Sequence, residues 1–285
     1  MVLGEMKMRN HKVLNYKVLG YFLLMLFTVV VDGIFSAIID KGILSRLISG
    51  YAVEQTVMGK VSSNAMGVGT AVGSVIAIGL FYLWFRPSFD GMLKKKNLLT
   101  GLLMLLPILI VHWIGSIVSW MQLGTSGVLL AFLRAFAPGF GEEAAFRGLG
   151  VANYLRRDPS EKDVVKVFWL SSVVFGLVHV LNAIAGAPLL ISLGQAAYAA
   201  GIGMVLGAVY LRTGNLWPCI IGHMSLDFME IIRADIGSSG GVLSGMRAGD
   251  WITIAAGVAG IGCGLYLIRP SRRAEIVALW KNKWA

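Results

Sequence analysis

Eight long apolar runs restrict what this chain can fold into more than any other feature of its sequence. Each is about 20 residues long, the length that an α-helix needs to cross the hydrocarbon core of a bilayer. Because lipid offers the backbone no hydrogen-bond partners, runs of this length predict helices. We therefore expect an all-α fold, a polytopic membrane helix bundle of about eight transmembrane helices. The predicted spans are 18–39, 67–85, 98–121, 127–155, 165–184, 187–211, 216–234 and 251–268.

The composition agrees with this class of protein. The chain is 56% hydrophobic and 14% charged, whereas an average globular domain is about 25% charged. No hydrophilic stretch is long enough to form a domain of its own. We therefore expect residues 1–285 to be a single membrane-embedded domain, with a motif-bearing core at about 127–234.

The distribution of lysine and arginine predicts the orientation in the membrane. With a cytoplasmic N-terminus, the inside segments carry 18 of the 25 basic residues and the outside segments carry 5. This bias follows the positive-inside rule and favours an integral, multi-pass protein with both termini cytoplasmic. It also accounts for the net charge of +10 without a nucleic-acid partner, since no basic motif with interleaved aromatic residues is present.

The segment "GFGEEAAFRG" places three charges inside the fourth predicted span. A charge at the bilayer centre costs roughly 2.5–3.5 kcal/mol, so each needs a partner or a function. Glu143 and Arg147 are four residues apart and can form an ion pair on one helix face. Glu142 points about 100° away from Glu143 and has no cation at that spacing. Glu142 is therefore the candidate for a general base.

Two other predicted spans carry histidine. His179 lies in the fifth span, and the seventh contains His223 and Asp227, four residues apart. Carboxylates and histidines from different helices can meet inside a bundle. Such a set can activate water through a Glu–His pair, or it can hold a zinc ion that lowers the pKa of bound water. His112 and Asp32 have no comparable partner in sequence, and we interpret them as structural.

Each of these features also has a structural interpretation. An ion pair such as Glu143–Arg147 can simply join two helices, and a single histidine within a span is often a packed one. The alternatives to a metal-independent peptidase are therefore a zinc-dependent intramembrane protease that uses the same residues, and a non-catalytic bacteriocin-immunity or membrane scaffold protein. A transporter is a weaker alternative, because the chain has no repeated halves.

Three short segments carry a resemblance to a known family. "EEAAFR", "FGLVH" and "HMSLD" resemble the EExxxR, FxxxH and HxxxN/D motifs of the CPBP family. That family comprises CAAX-processing and bacteriocin-processing proteases and includes the Ras-converting enzyme group. The matching region is about 130–230, roughly a third of the chain.

The resemblance implies an intramembrane glutamic endopeptidase with an eight-helix core. Our first hypothesis is that this peptidase needs no metal. By motif position, Glu142 is the catalytic glutamate and His179 its partner in activating water. His223 and Asp227 then stabilise the oxyanion or bind the substrate backbone, and Glu143 and Arg147 support the site. The implied substrate is a membrane-associated protein or peptide, prenylated or a peptide precursor.

One position departs from the pattern of the prenyl-protein proteases. They usually carry Asn where this chain has Asp227. An ionised carboxylate cannot donate a hydrogen bond to an oxyanion, so Asp227 must be protonated or must act by orienting His223. The departure weakens the expectation of CAAX specificity but leaves the expectation of a protease intact.

Overall fold

The computed structural model describes residues 12–48, 67–85, 96–122, 125–184, 187–235 and 248–284, and these ranges are helical and contain no strand. A short 3-10 turn, Val13–Asn15, precedes the first long helix. The long helices are α1 (Lys17–Ser36), α2 (Val68–Phe85), α3 (Leu98–Gln122), α4 (Thr125–Glu143), α5 (Glu161–Val178), α6 (Leu189–Thr213), α7 (Trp217–Asp235), α8 (Ala248–Leu267) and α9 (Pro270–Trp284).

Three of these helices change their winding before they end. α1 continues through a π-helical segment, Ala37–Leu44, and α4 continues through another, Ala144–Val151. α5 ends in a 3-10 turn, His179–Ala183. Pro138 is accommodated within α4, and the winding changes only after Glu143. Both π-helical segments follow a regular α-helix directly.

The predicted helical membrane bundle is confirmed, whereas the number of spans stays a prediction. Each of the eight predicted runs falls on one of the helices α1 to α8. Within the described ranges, four helical segments are long and apolar enough to cross a membrane. A pair bent by 75°, formed by α8 and α9, raises that number to five if it is one span. The four segments are Lys17–Leu47, Val68–Phe85, Glu161–Ala183 and Leu189–Thr213.

The bundle buries one apolar face of its helices and leaves another outside. Tyr21, Phe81 and Val205 are fully buried in its core. By contrast, Leu26 on α1 and Ile114 on α3 are 55% and 68% exposed. Large apolar side chains that face outward along helix after helix mark a surface that water does not cover. Lipid is the environment that fits such a surface.

Glycines bring several helices unusually close together. A Cβ atom on Gly260 of α8 would lie 2.5 Å from the Gly201 carbonyl oxygen of α6. A Cβ on Gly139 of α4 would lie 2.9 Å from the backbone nitrogen of Met224 on α7. Small residues permit such backbone contact in membrane bundles, where van der Waals packing drives helix association. The second contact places the charged end of α4 against α7.

The segments that the distribution of basic residues places on the cytoplasmic side meet at one end of the bundle. The Lys17 Nζ atom lies 2.8 Å from Asp163 Oδ2, and Lys281 Nζ lies 2.8 Å from Asp158 Oδ1. The hydrogen bond from Lys281 lowers the pKa of Asp158. The Asn215 side chain donates to the Lys96 carbonyl oxygen. This hydrogen bond joins the segment before α7 to the segment before α3, both of which are predicted to be cytoplasmic. The basic residues predicted in 1–11 and 86–95 lie outside the described residues.

Helix α9 covers this end of the bundle. Its Trp280 is fully buried, and the indole N–H donates to the Leu211 carbonyl oxygen over 3.0 Å. The indole ring also meets Tyr210 edge to face. Although its mean hydropathy is low, α9 is therefore anchored to α6.

We expect Gly260→Leu to destabilise the bundle by about 1–3 kcal/mol, because the added side chain meets the α6 backbone. Thermal unfolding in detergent measures the loss. Gly262→Leu is the matched control on the same helix, since a Cβ there meets nothing within 4 Å. Equal unfolding temperatures for the two variants would contradict the close packing of α6 against α8.

Candidate active site

The centre of the bundle holds a buried ion pair. Arg147 Nη1 donates to Glu143 Oε1 over 2.7 Å, and both side chains are fully buried. Arg147 Nη2 also donates to the Gly203 carbonyl oxygen of α6 over 3.3 Å. The guanidinium carbon lies 4.2 Å from the centre of the Phe175 ring on α5. The four-residue spacing thus produced the predicted pair, and the pair also contacts two other helices.

His223 of α7 joins this pair. Its Nδ1 atom lies 2.9 Å from Glu143 Oε1, the same oxygen that accepts from Arg147. Because an ionised carboxylate only accepts, Nδ1 carries the proton in this hydrogen bond. The ring is thereby fixed in orientation, and its second nitrogen faces the remaining acidic groups.

Nε2 of His223 lies between two carboxylates. Glu142 Oε2 is 3.9 Å away and Asp227 Oδ2 is 3.6 Å away. These distances are too long for direct hydrogen bonds, but a small rotation or one water molecule can bridge them. His223 is therefore the residue through which the two glutamates and Asp227 are brought together.

The adjacent glutamates have different environments, as the helix geometry predicted. The Glu143 side chain is fully buried and paired, whereas the Glu142 side chain is 37% exposed. Glu142 Oε2 itself is buried and accepts no hydrogen bond from the described residues. The exposed part of the Glu142 side chain is thus the part that a ligand or a water molecule can reach.

His179 lies at the end of α5, where the α-helix tightens into the 3-10 turn. Its Nδ1 atom lies 2.8 Å from the Phe175 carbonyl oxygen. Since a carbonyl oxygen only accepts, Nδ1 is the donor, so that Nε2 is an acceptor whenever the ring carries a single proton. The Phe175 ring packs edge to face against both His179 and His223.

A cavity of about 410 Å³ adjoins these residues. Its wall includes His179, His223 and Asp227, so three of the predicted site residues share one space. Glu142, Glu143 and Arg147 are not among the described residues that line it, and the hydrogen bond of His223 to Glu143 connects them to the wall. Apolar side chains complete most of the wall, and the others that line it are Phe175, Ile191, Gly194, Gln195, Tyr198, Ala199, Ile202, Leu226, Glu230, Thr253 and Ile254.

The sequence analysis missed a charged group in this wall, Glu230. Glu230 Oε1 accepts a hydrogen bond from Thr253 over 2.8 Å and lies 3.3 Å from His112 Nε2. His112, interpreted from the sequence as structural, thus touches the wall of the cavity through Glu230. The local signal was present, because Glu230 follows Asp227 by three residues on the face of α7 that carries His223.

Within the described part of the chain, no three His, Cys, Asp or Glu side chains are grouped as metal ligands. Glu143, moreover, already has both Arg147 and His223 on one oxygen.

The comparisons with known proteins bear on the same region. Residues 123–229 match the family model of the type II CAAX prenyl endopeptidases, Rce1-like. This region is similar to the Rce1-like family. The match includes all three motifs and confirms the resemblance found in the sequence. No curated protein and no solved structure matches the chain.

The Rce1-like match supports an intramembrane endopeptidase of the CAAX-protease type, and thus a hydrolase that acts on a protein or peptide in a membrane. It extends from before α4 to Met229, so that Glu230 and Thr253 lie beyond it. These two side chains belong to the cavity without belonging to the matched region.

We expect Glu143→Gln to lower both stability and activity. Breaking a buried ion pair on one side costs about 3–5 kcal/mol, because Arg147 remains charged and buried. Unfolding in detergent measures the effect. Adding Arg147→Met to this variant removes the stranded charge and restores part of the stability. A Glu143→Gln protein as stable as the wild type would show that the pair does not support the fold.

Proposed function

We propose that this protein is an intramembrane glutamic endopeptidase that hydrolyses a peptide bond of a membrane-associated substrate. One observation carries the proposal: His223, held by Glu143, presents Nε2 within 4 Å of both Glu142 and Asp227 at the wall of a cavity. The Rce1-like match supports the reaction class. The glutamic mechanism rests on the chemistry of these side chains.

Glu142 is the proposed general base. Its partly exposed carboxylate takes a proton from a water molecule, and the resulting hydroxide attacks the carbonyl carbon of the scissile bond. His179 assists as the second acceptor for that water, through the Nε2 that its bond to Phe175 leaves unprotonated. The proton then passes from Glu142 to the leaving amine as the C–N bond breaks.

His223 and Asp227 are proposed to stabilise the oxyanion. If Nδ1 donates to Glu143, then Nε2 can donate to an oxyanion only when the ring is an imidazolium. Asp227 and Glu143, on either side of the ring, compensate that positive charge. Donors arranged in advance around developing charge are worth about 2.7–4 kcal/mol each in acyl transfer. Asp227 thus acts through His223, which suits an ionised aspartate at this position.

The membrane setting completes the proposal. The apolar wall of the cavity suits a substrate held in the bilayer, such as a prenylated protein or a membrane-bound peptide precursor. We propose that both termini are cytoplasmic, in accordance with the distribution of basic residues. The contacts of Lys17 and Lys281 at one end of the bundle support a common side for these segments.

We expect Glu142→Gln to abolish cleavage while the protein remains folded and inserted. Glutamine keeps the shape of the side chain and loses only its basic oxygen. The membrane proteomes of cells that carry the wild type or the variant can be compared, and a precursor should accumulate with the variant. The same precursor then serves as the substrate in a purified assay.

Glu275→Gln is the matched control, because Glu275 lies on α9 at the surface, where its partners among the described residues are Arg212 and Arg272. It should leave cleavage unchanged. Turnover by Glu142→Gln at the wild-type rate would remove Glu142 from the mechanism.

We also expect activity to survive extensive dialysis against a strong zinc chelator. In the proposed reaction, side chains alone activate the water, so no ion has to be retained. Zinc content and cleavage rate are measured on the same dialysed sample. Loss of activity that zinc restores would favour the zinc-dependent alternative, with Glu142, His179 and His223 as ligands.

A further inference from the structure

A groove of about 390 Å³ lies between the turn that joins α4 to α5 and the C-terminal end of α9. Three of the described side chains that line it are basic and one is acidic, so its wall carries a net positive charge. None of the proposed catalytic residues takes part in it. The lining residues are Arg156, Arg157, Asp158, Pro159, Lys281 and Trp284.

Arg156 is held in one orientation in the wall of this groove. The residue is only 3% exposed. Its Nε donates to Asn153 Oδ1 over 3.2 Å, and its Nη2 donates to Asn15 Oδ1 over 2.9 Å. The guanidinium carbon lies 4.5 Å from the centre of the Phe85 ring. Two amides and a ring thus fix the guanidinium group in advance, which reduces the entropy that it loses when a ligand binds.

The charge of Arg156 has neutral neighbours and one neighbour of the same sign. Within the described part of the chain, its hydrogen bonds end on amide oxygens, and no side chain there accepts from its Nη1. Burial and then the like charge of Arg157 lower the pKa of Arg156 to about 10, so the group is still cationic at neutral pH. Asp158 in the same wall lies 2.8 Å from Lys281 Nζ. An anion that enters the groove therefore relieves the repulsion between the two arginines.

We propose that this groove binds the phosphate group of an anionic membrane lipid. A guanidinium group can donate two parallel hydrogen bonds to a phosphate, and the ammonium group of Lys281 adds a further positive charge. The inference goes beyond the proposed peptidase reaction and does not depend on it. The lipid joins the turn after α4 to the end of α9, because both segments line the groove.

The position of the groove favours a lipid over a soluble phosphate. It lies at the end of the bundle that is predicted to be cytoplasmic, and the cytoplasmic leaflet is rich in anionic lipids. Asn15, which accepts from Arg156, comes just before α1. The first turn of α1 carries Val18 and Leu19, which are 51% and 46% exposed. Acyl chains can pack against these side chains while the phosphate lies beside Arg156.

Lipid binding to the full-length protein in detergent tests the proposal. Phosphatidylglycerol and phosphatidylcholine with the same acyl chains are titrated separately, and bound lipid is counted by native mass spectrometry. We expect the wild type to bind phosphatidylglycerol about fivefold more tightly or better, since each basic residue near an anionic lipid contributes about that factor. Equal affinity for the two lipids would overturn the proposal.

Two variants that change the charge of the groove in opposite directions locate the site. Lys281→Gln should weaken phosphatidylglycerol binding about fivefold, and Asp158→Asn should strengthen it by a similar factor. Asp158 has a φ of +33°, and asparagine is among the residues that adopt positive φ most readily. Arg272→Gln is the control, because it removes a paired charge from α9 outside the groove. A lipid preference that Lys281→Gln and Asp158→Asn leave unchanged rejects the groove as the site.

Arg156→Gln should abolish the preference for phosphatidylglycerol. Thermal unfolding without added lipid shows whether this variant keeps the fold. If it does not, the decision rests on Lys281→Gln and Asp158→Asn, whose side chains are largely exposed.

Inorganic phosphate distinguishes a lipid from a soluble ligand. We expect millimolar phosphate to leave the binding of phosphatidylglycerol unchanged, because it lacks the acyl chains that pack against α1. Displacement of the lipid by phosphate would assign the groove to a soluble anion and reject the lipid. Glu142→Gln should bind phosphatidylglycerol as the wild type does, so this result is independent of the proposed reaction.

Discussion

The ion pair between Glu143 and Arg147 organises the centre of this bundle. A buried charge in a membrane is tolerated only with partners, and each of these two residues finds several. Glu143 receives His223 from α7, while Arg147 contacts the Gly203 carbonyl of α6 and the Phe175 ring of α5. The need to compensate two charges thus brings four helices to one point. The candidate catalytic groups lie around that point.

Short distances between helices make this compensation feasible. Gly139 lets α4 approach the backbone of α7 beside His223, and Gly203 leaves room for the guanidinium group of Arg147. A side chain at Gly139 would crowd the backbone of α7, and a side chain at Gly203 would crowd the guanidinium group of Arg147. Packing and electrostatics are therefore coupled here. The glycines let the helices come close together, and this closeness allows the charged side chains of one helix to bind groups on the next.

The sequence predicted what depends on local spacing. Runs of apolar residues gave the positions of α1 to α8, and the four-residue spacings gave the contacts of Arg147 with Glu143 and of Asp227 with His223. It did not predict that Glu230 meets Thr253, because such contacts depend on how whole helices rotate against each other. Nor did it predict α9, because the sequence of this helix is too polar for a membrane span, although its Trp280 is fully buried. The catalytic roles stay predictions, since geometry alone does not assign them.

The π-helical segment Ala144–Val151 has a consequence for how this region can change during evolution. A π-helical turn is equivalent to one extra residue within an α-helix. Removing that residue would therefore restore regular winding while the two flanking parts of the helix keep nearly the same relative orientation. Only a residue removed between Glu143 and Arg147 would change the four-residue spacing of that pair. Related chains that keep this network should thus tolerate a shorter segment after Arg147 better than one shortened before it.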